Sequence, residues 1–342
     1  MKNLMKRVAK HLTKKTAGTV TAMGVVMVMA VTAHAGKITM RVGDIENVAN
    51  LGAVALDRFS GQIKAKSNGT IIVRAFHASQ MGSANKQLQL VKSGTLQAFR
   101  GSISWLAQFD TGFSLLDFPF TLTSESQAKI VANSAPLKML NDKLADRHGI
   151  RFVTAGWTRL PRQVMVNRPV TGVADLENVK LRVPEVYAYI ESFKALGASP
   201  TPVAFGETYL ALKQGVVDGA ENHVESLYNM KWFEVAKHLV ITDHSYDITG
   251  FIVNDKWWKG LADDQRTLII DTFNDVDAWF VRENKTLQQK YIDLMVKEGG
   301  VQVHTVDKAG FISRVVPDAM TAAEKAGEWE VGLWDDIQAM LR

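Results

Sequence analysis

Cysteine is absent from this chain of 342 residues. Its absence excludes disulfide bridges, thiolate nucleophiles and cysteine-ligated metal ions. A chain without disulfides must be stabilised by an apolar core, and this one is long enough to bury such a core and to form two domains. The apolar content of 46% and the charged content of 22% are typical of an ordinary globular protein.

The sequence also lacks the motifs of the common catalytic sites. It contains no Gly-rich phosphate loop, no His-Glu-x-x-His and no Gly-x-Ser-x-Gly elbow. Residues 243–245 read Asp-His-Ser, but neighbours in sequence cannot converge as the members of a triad do. Glu221, His223 and Glu225 match no metal-ligand spacing, and we interpret them as ordinary solvated polar residues. We therefore expect no enzyme activity, no metal site and no cofactor.

Positive charge is concentrated at the start of the chain. Six basic residues and no acidic one lie in the first 35 positions: Lys2, Lys6, Arg7, Lys10, Lys14 and Lys15. The apolar run 20–31 follows, and Ala33-His34-Ala35 fits a small-x-small cleavage site. We expect a signal peptide over residues 1–35, cleaved near Ala35, and export to the periplasm. An uncleaved membrane anchor is the alternative, which the shortness of the apolar run disfavours.

The remainder of the chain is almost neutral. Without the six basic residues of the leader, 34 of the 40 Lys and Arg remain against 35 Asp and Glu, a net charge of −1. This balance argues against nucleic acid and against a charged membrane surface as partners.

Strand and helix patterns alternate from the first residues after the leader. Strands are predicted at 37–42 and 70–76, and helices at 52–66 and 85–93, which is the alternation of an α/β fold. Two domains are expected because strands at 163–166 and 250–254 cross between the two halves of the chain. The predicted boundaries are 36–159 with 248–287 for domain I, and 160–247 with 288–342 for domain II.

The longest helical pattern runs from 263 to 298 and ends at a pair of glycines. A single helix of that length would reach on the order of 50 Å, enough to span two lobes. Two helices split near Asn284 are the alternative. A further helix is predicted over 124–148 and another over 224–237.

Polar side chains stand at the ends of apolar strands between residues 178 and 223. Arg182 lies at the end of the strand 179–183, and the later strand ends in Asp-Gly-Ala-Glu-Asn at Asn222. Ligands of α/β proteins gather at the carboxyl ends of strands. A guanidinium group matches a carboxylate through two charge-assisted hydrogen bonds, which lysine cannot copy. Taken alone, however, an arginine at a strand end is more often part of a structural ion pair.

Several longer motifs decide between these interpretations. They are LRVP (181–184), GASPTPVAF (197–205), YLALKQGVVDGAEN (209–222), SQMG (79–82) and LLDFPF (115–120). In these motifs the sequence resembles the solute-binding proteins of tripartite ATP-independent periplasmic (TRAP) transporters. The resemblance covers essentially the whole chain after the leader and is densest from Arg162 to Asn222. It implies a two-lobed α/β fold like that of periplasmic binding proteins, with the ligand cleft between the lobes and a long helix spanning both.

The resemblance also implies roles for particular residues. Arg182 would clamp a ligand carboxylate and Arg162 would support the same anion. Phe205 would pack on the body of the ligand, and Asn222 would hydrogen-bond it. Glu185 would face the ligand and accept hydrogen bonds from hydroxyl groups, which suggests a sugar acid.

Further ligand-facing residues are implied on the other side of the cleft. Ser102, Glu46 and Asn47 would face it from domain I, and Trp157 would lie near Arg162. By this resemblance the protein binds a small organic anion as a monomer and delivers it to TRAP membrane subunits. The alternatives are a periplasmic protein that feeds a sensor and an exported enzyme on the same scaffold.

Overall fold

The computed structural model of the protein describes residues 37–341. The predicted signal peptide over residues 1–35 and its cleavage near Ala35 lie outside this range. Within residues 37–341, none of the helices combines the length and the apolar character that crossing a bilayer requires.

The strands form two mixed sheets. In chain order they are β1 (Ile38–Asp44), β2 (Ile71–Phe76), β3 (Ala98–Ser102), β4 (Ile150–Phe152), β5 (Arg162–Val166), β6 (Lys180–Val183), β7 (Ser199–Pro202), β8 (Gly219–His223), β9 (His238–Ile241), β10 (Thr249–Asn254) and β11 (Gln302–Thr305). The five-stranded sheet has the order β2-β1-β3-β10-β4, and the six-stranded sheet has the order β11-β9-β5-β8-β6-β7. In the first sheet β10 is antiparallel to its neighbours, and in the second β5 is.

Helices cover both faces of both sheets. They are α1 (Leu51–Lys66), α2 (Ala84–Lys92), α3 (Glu125–Ala132), α4 (Ala135–His148), α5 (Tyr187–Ala195), α6 (Thr208–Lys213), α7 (Val224–Asn229), α8 (Asp255–Lys259), α9 (Asp263–Asn284), α10 (Leu287–Gly299), α11 (Lys308–Arg314), α12 (Met320–Lys325) and α13 (Leu333–Leu341). The apolar faces of α1 and α9 pack on the five-stranded sheet, and those of α6, α7 and α10 pack on the six-stranded sheet. A third core joins α2, α4, α5 and α13 and continues across both sheets.

The chain passes between the two sheets three times. The segment 153–161 leads from β4 to β5, the segment 242–248 leads from β9 to β10, and α9 is followed by α10. The long helical pattern is therefore not one helix: it is divided at residues 285–286, as the two-helix alternative expects. At the division, Asn284 Nδ2 donates a hydrogen bond to the backbone oxygen of Thr158 in the first crossing segment at 3.0 Å.

Two other helix predictions were too long. The predicted helix over 124–148 is two helices, because Pro136 has no N–H and its ring would clash with the carbonyl group four residues earlier, where α3 ends. Ser134 caps the second helix by accepting a hydrogen bond from the backbone N–H of Leu137. The predicted helix over 224–237 ends at Asn229, because Lys231 adopts a φ of 59°, in the left-handed region.

Two glycines give a matched test of the packing. A Cβ atom at Gly250 would lie 1.7 Å from the backbone oxygen of Thr154, whereas one at Gly61 in α1 would meet nothing within 4 Å. We expect Gly250→Ala to destabilise the protein by on the order of 3 kcal/mol, because backbone cannot move aside as a flexible side chain can. Gly61→Ala should stabilise it by about 0.5–1 kcal/mol. Urea unfolding of both variants measures this, and similar changes in both would contradict it.

Candidate functional site

The carboxyl ends of strands from both sheets meet at one cavity. β3 contributes Ser102, β6 contributes Arg182 and β8 contributes Asn222, while the loop after β1 contributes Glu46. About 440 Å³ of non-atom space lies at the cavity, including the open solvent at its mouth. Its walls include six of the side chains that the sequence predicts for ligand binding: Arg182, Arg162, Asn222, Phe205, Ser102 and Glu46.

Arg182 is a buried cation whose guanidinium group is only partly hydrogen-bonded. The residue is 1% exposed, and its Nε donates to the backbone oxygen of Val203 at 2.9 Å. The guanidinium carbon lies 5.6 Å from the centre of the Trp232 ring, and Nη1 has no hydrogen-bond partner among residues 37–341. Burial lowers the pKa of Arg182 to about 10. Such a charge is costly unless an anion accompanies it.

Arg162 already has a carboxylate partner. Its Nε and Nη2 donate to the two side-chain oxygens of Glu221 at 2.6 and 2.7 Å, and its guanidinium carbon lies 4.8 Å from the centre of the Tyr189 ring. Burial would raise the pKa of Glu221, but Arg162 and His244 outweigh burial and lower that pKa to about 2. The ion pair fixes Arg162 at the floor of the cavity.

A second set of ion pairs at the cavity was not predicted from the sequence. Arg159, in the first crossing segment, donates to Glu46 at 2.6 Å through Nη1 and to Asp247 through Nη2. Arg100 donates to the same oxygen of Glu46 at 2.9 Å. Burial would raise the pKa of Glu46, but the two arginines lower it to about 2. A signal was available: Arg159 and Asp247 are charged residues inside the two segments that cross between the sheets.

The other predicted residues on the cavity wall have local partners. Phe205 is largely buried, and its ring centre lies 5.7 Å from that of Trp232. Asn222 accepts a hydrogen bond from the backbone N–H of His223 at 2.8 Å, and Ser102 accepts one from the hydroxyl group of Ser104 at 2.8 Å.

The structure does not bring three predicted residues to the cavity wall. Trp157 is fully buried and stacks on Phe273 with the ring centres 4.4 Å apart. Asn47 donates to the backbone oxygen of Asn229 at 3.5 Å. Glu185 is exposed and lines an adjoining depression, which shares Ile45, Trp105 and Phe205 with the cavity.

The interpretation of Glu221, His223 and Glu225 as solvated residues was wrong. All three are buried, because each faces a partner: Glu221 faces Arg162, His223 faces Asp247 at 3.0 Å, and Glu225 accepts a hydrogen bond from the first N–H of α1 at 2.6 Å. In the part of the chain that the structure describes, His, Asp and Glu do not gather into a group of three or more that could hold a metal ion.

Glu225 predicts a pH dependence of stability. Burial, followed by the charge of Glu46, raises the pKa of Glu225 from 4.5 to about 7. Between pH 4.5 and pH 7 the folded protein therefore binds more protons at Glu225 than the unfolded chain does. The stabilisation that comes from this proton binding is complete below pH 4.5 and is lost as the pH rises through 7. Burial and Arg159 lower the pKa of His223 to about 4. This shift makes the stability of the protein rise with pH between about 4 and 6.5, opposite to the effect of Glu225.

The variant Glu225→Gln isolates this contribution, because His223 is present in both proteins. We expect the unfolding free energy of the wild type, relative to that of the variant, to fall by on the order of 3 kcal/mol between pH 4.5 and pH 8. Urea unfolding over that range measures the difference. Parallel pH profiles for the two proteins would contradict it.

The model of the DctP family, described as bacterial extracellular solute-binding protein, family 7, matches residues 46–325. The match covers most of the chain, and the protein therefore belongs to this family. The resemblance to TRAP solute-binding proteins that the sequence motifs indicated is confirmed.

Individual relatives agree with this assignment. The chain is 28% identical to the 2,3-diketo-L-gulonate-binding periplasmic protein YiaO of Escherichia coli, over 75% of this chain and 78% of that protein. It is 25% identical to the C4-dicarboxylate-binding periplasmic protein DctP of Vibrio cholerae, over 78% of this chain and 80% of that protein. A crystal structure of a TRAP periplasmic solute binding protein from Ochrobacterium anthropi, with bound L-fuconate, superposes with a TM-score of 0.82 at 28% identity, covering 90% of this chain and 100% of that one. The predicted α/β fold of two lobes is confirmed.

Proposed function

We propose that the protein binds a small organic anion in the cavity between its two sheets and delivers it to the membrane subunits of a TRAP transporter. The observation that carries the proposal is Arg182, a buried guanidinium group on the cavity wall without a carboxylate partner among the described residues. A ligand carboxylate would supply that partner through two hydrogen bonds. The acids named for the relatives support the choice of an organic acid as ligand.

The remaining predicted residues take supporting roles in this proposal. Asn222 and Ser102 offer hydrogen bonds to the ligand, and Phe205 offers an aromatic surface to its carbon skeleton. Arg162 and Glu46 act from the cavity wall while they are held by their own ion pairs. Glu185 faces ligands that enter through the adjoining depression.

Two other predicted residues would hold the backbone around the cavity rather than contact the ligand. Trp157 anchors the first segment, since its backbone N–H donates to Asp277 on α9 at 2.6 Å. Asn47 holds the loop after β1 against α7. Both interactions would keep Arg159 and Glu46 in place.

Binding is proposed to close two lobes on the ligand. The lobes are residues 36–159 with 248–287, and residues 160–247 with 288–342. Closing buries Arg182, so the closed state is disfavoured without an anion. A ligand shifts the equilibrium by its difference in affinity for the closed and open states. An affinity near micromolar corresponds to roughly −8 kcal/mol, which one bidentate pair with aromatic and hydroxyl contacts can supply.

After cleavage near Ala35 the protein acts in the periplasm, and it acts there as a monomer. It releases its ligand unchanged and is not an enzyme, so the compound recovered after incubation should be identical to the compound added.

A thermal-shift screen against uronates, aldonates, sialic acids, dicarboxylates and oxo-acids tests the proposal. A ligand present at 100 times its Kd stabilises the folded state by about 2.7 kcal/mol, which gives a clear shift. We expect at least one acid to produce it. A screen in which only neutral or cationic compounds raised the melting temperature would contradict the proposal. Capture of membrane subunits rather than of a receptor, in the presence of the acid, tests the delivery step.

A further inference from the structure

We propose that the cavity selects hydroxy acids with a single negative charge and rejects the corresponding dicarboxylates. This inference rests on the proposed function and narrows it, because the family has relatives named for both kinds of acid. It comes from the pairing of the charges around the cavity, in which one guanidinium group is left for a ligand.

The guanidinium groups beside Arg182 are already neutralised. Arg162 binds Glu221 through two hydrogen bonds, and Arg159 binds both Glu46 and Asp247. The ion pairs at the cavity and directly behind it join three guanidinium groups with four carboxylates: Arg100, Arg159 and Arg162, with Asp44, Glu46, Glu221 and Asp247. Glu225 adds a further buried carboxyl group beside Glu46. Arg182 is therefore the one guanidinium group of this region without a carboxylate partner among the described residues, and a second ligand carboxylate would find no unpaired one.

A further buried carboxyl group, Asp117, shows how this region treats additional negative charge. It is 1% exposed, and neither of its carboxyl oxygens has a hydrogen-bond partner within the described range 37–341. Burial, followed by the charge of Asp247, raises the pKa of Asp117 well above its usual value. The surroundings of Asp117 thus disfavour an additional negative charge, even on one of the protein's own side chains.

Part of the cavity wall is suited to hydroxyl groups. Ser102, Ser104 and Glu46 line it, and each has an oxygen that can accept a hydrogen bond. The adjoining depression carries two more carboxylates, Glu185 and Glu207. A ligand hydroxyl group can donate to any of these oxygens. A second ligand carboxylate has no hydrogen to donate, and it would face the negative charge of Glu46 in the cavity and of the exposed Glu185 and Glu207 in the depression.

Matched pairs of acids test the inference by calorimetry on the wild-type protein. Galactonate and galactarate, gluconate and glucarate, and 4-hydroxybutyrate and succinate each differ only in the exchange of a terminal hydroxymethyl group for a carboxylate. In every pair with measurable binding, we expect the monoanion to bind at least 100-fold more tightly. A dianion that bound within tenfold of its partner, or more tightly, would overturn the selectivity but leave the proposed function intact. If no acid of either kind bound, the proposed function would fall together with the inference.

The variant Glu46→Gln tests the cause of the selectivity. Removing this carboxylate leaves Arg159 with Asp247 alone, so part of its charge becomes available to a second ligand carboxylate. We expect the ratio between the affinities for galactonate and galactarate to fall at least tenfold. Glu283→Gln, which removes one negative charge from an exposed position on α9, should leave the ratio unchanged. Equal ratios for wild type and Glu46→Gln, with the variant folded by its circular dichroism, would contradict the assignment.

Discussion

Replacing Arg182 by methionine is expected to abolish ligand binding while leaving the ligand-free protein at least as stable as the wild type. The side chain is buried and its Nη1 has no hydrogen-bond partner in the described range, which makes its charge costly, and burial lowers its pKa to about 10. Methionine has a similar shape and needs no counter-ion, and replacing buried charges by apolar side chains is often neutral or stabilising. Calorimetry with the best acid of the screen measures the first effect, and urea unfolding without ligand measures the second.

Arg182→Lys is the matched control for charge. Lysine retains one positive charge but cannot present two parallel N–H groups to a carboxylate. We expect its affinity to be at least 100-fold lower than that of the wild type, which is about 2.7 kcal/mol. Binding by Arg182→Lys at the wild-type affinity would show that charge alone suffices. A large loss of ligand-free stability in Arg182→Met would show that the arginine serves the fold instead of a ligand.

Glu221→Gln is expected to produce the largest loss of stability among the substitutions at the cavity. The carboxylate is fully buried and accepts two hydrogen bonds from Arg162. Its Oε2 also lies 3.2 Å from His244 Nε2. Removing one partner of a buried pair leaves the other charge uncompensated, which typically costs about 3–5 kcal/mol. Urea denaturation should therefore show a lower transition midpoint with an unchanged slope.

Two controls show whether the loss of stability comes from breaking the buried ion pair or from any substitution of a paired carboxylate. The double variant Arg162→Met with Glu221→Met removes both charges and should recover most of the loss, as replacements of whole buried pairs do. Asp142→Asn removes a surface carboxylate that pairs with Lys138 at 2.5 Å and with Arg151 at 3.0 Å, and it should change stability by less than about 1 kcal/mol. Losses of equal size at both sites would contradict the role given to burial.

The elements that form the site could largely be predicted from local sequence. The strand before Pro184 exists, and the strand that was predicted to end at Asn222 continues by one residue to His223. The two strands place Arg182 and Asn222 on the cavity. The local sequence is enough for this prediction, because a short apolar run indicates a buried strand and the polar residue that follows it indicates where the strand reaches the end of the sheet. The break between α3 and α4 was also readable, since Pro136 cannot continue the helix before it.

The pairing of the charges could not be predicted in the same way. Arg159 and Asp247 are 88 residues apart and meet only because two segments cross between the sheets side by side. Nothing in the neighbourhood of Glu221 or His223 distinguishes a buried, paired side chain from a solvated one. Partners distant in sequence decide that, and their positions depend on the completed fold.

A crystal structure of the protein with the acid that stabilises it most would show directly whether Arg182 binds the ligand. We expect a ligand carboxylate within hydrogen-bonding distance of two nitrogen atoms of the Arg182 guanidinium group, with the ligand enclosed between the two sheets. A carboxylate bound elsewhere on the protein, with Arg182 paired to a protein side chain, would contradict it.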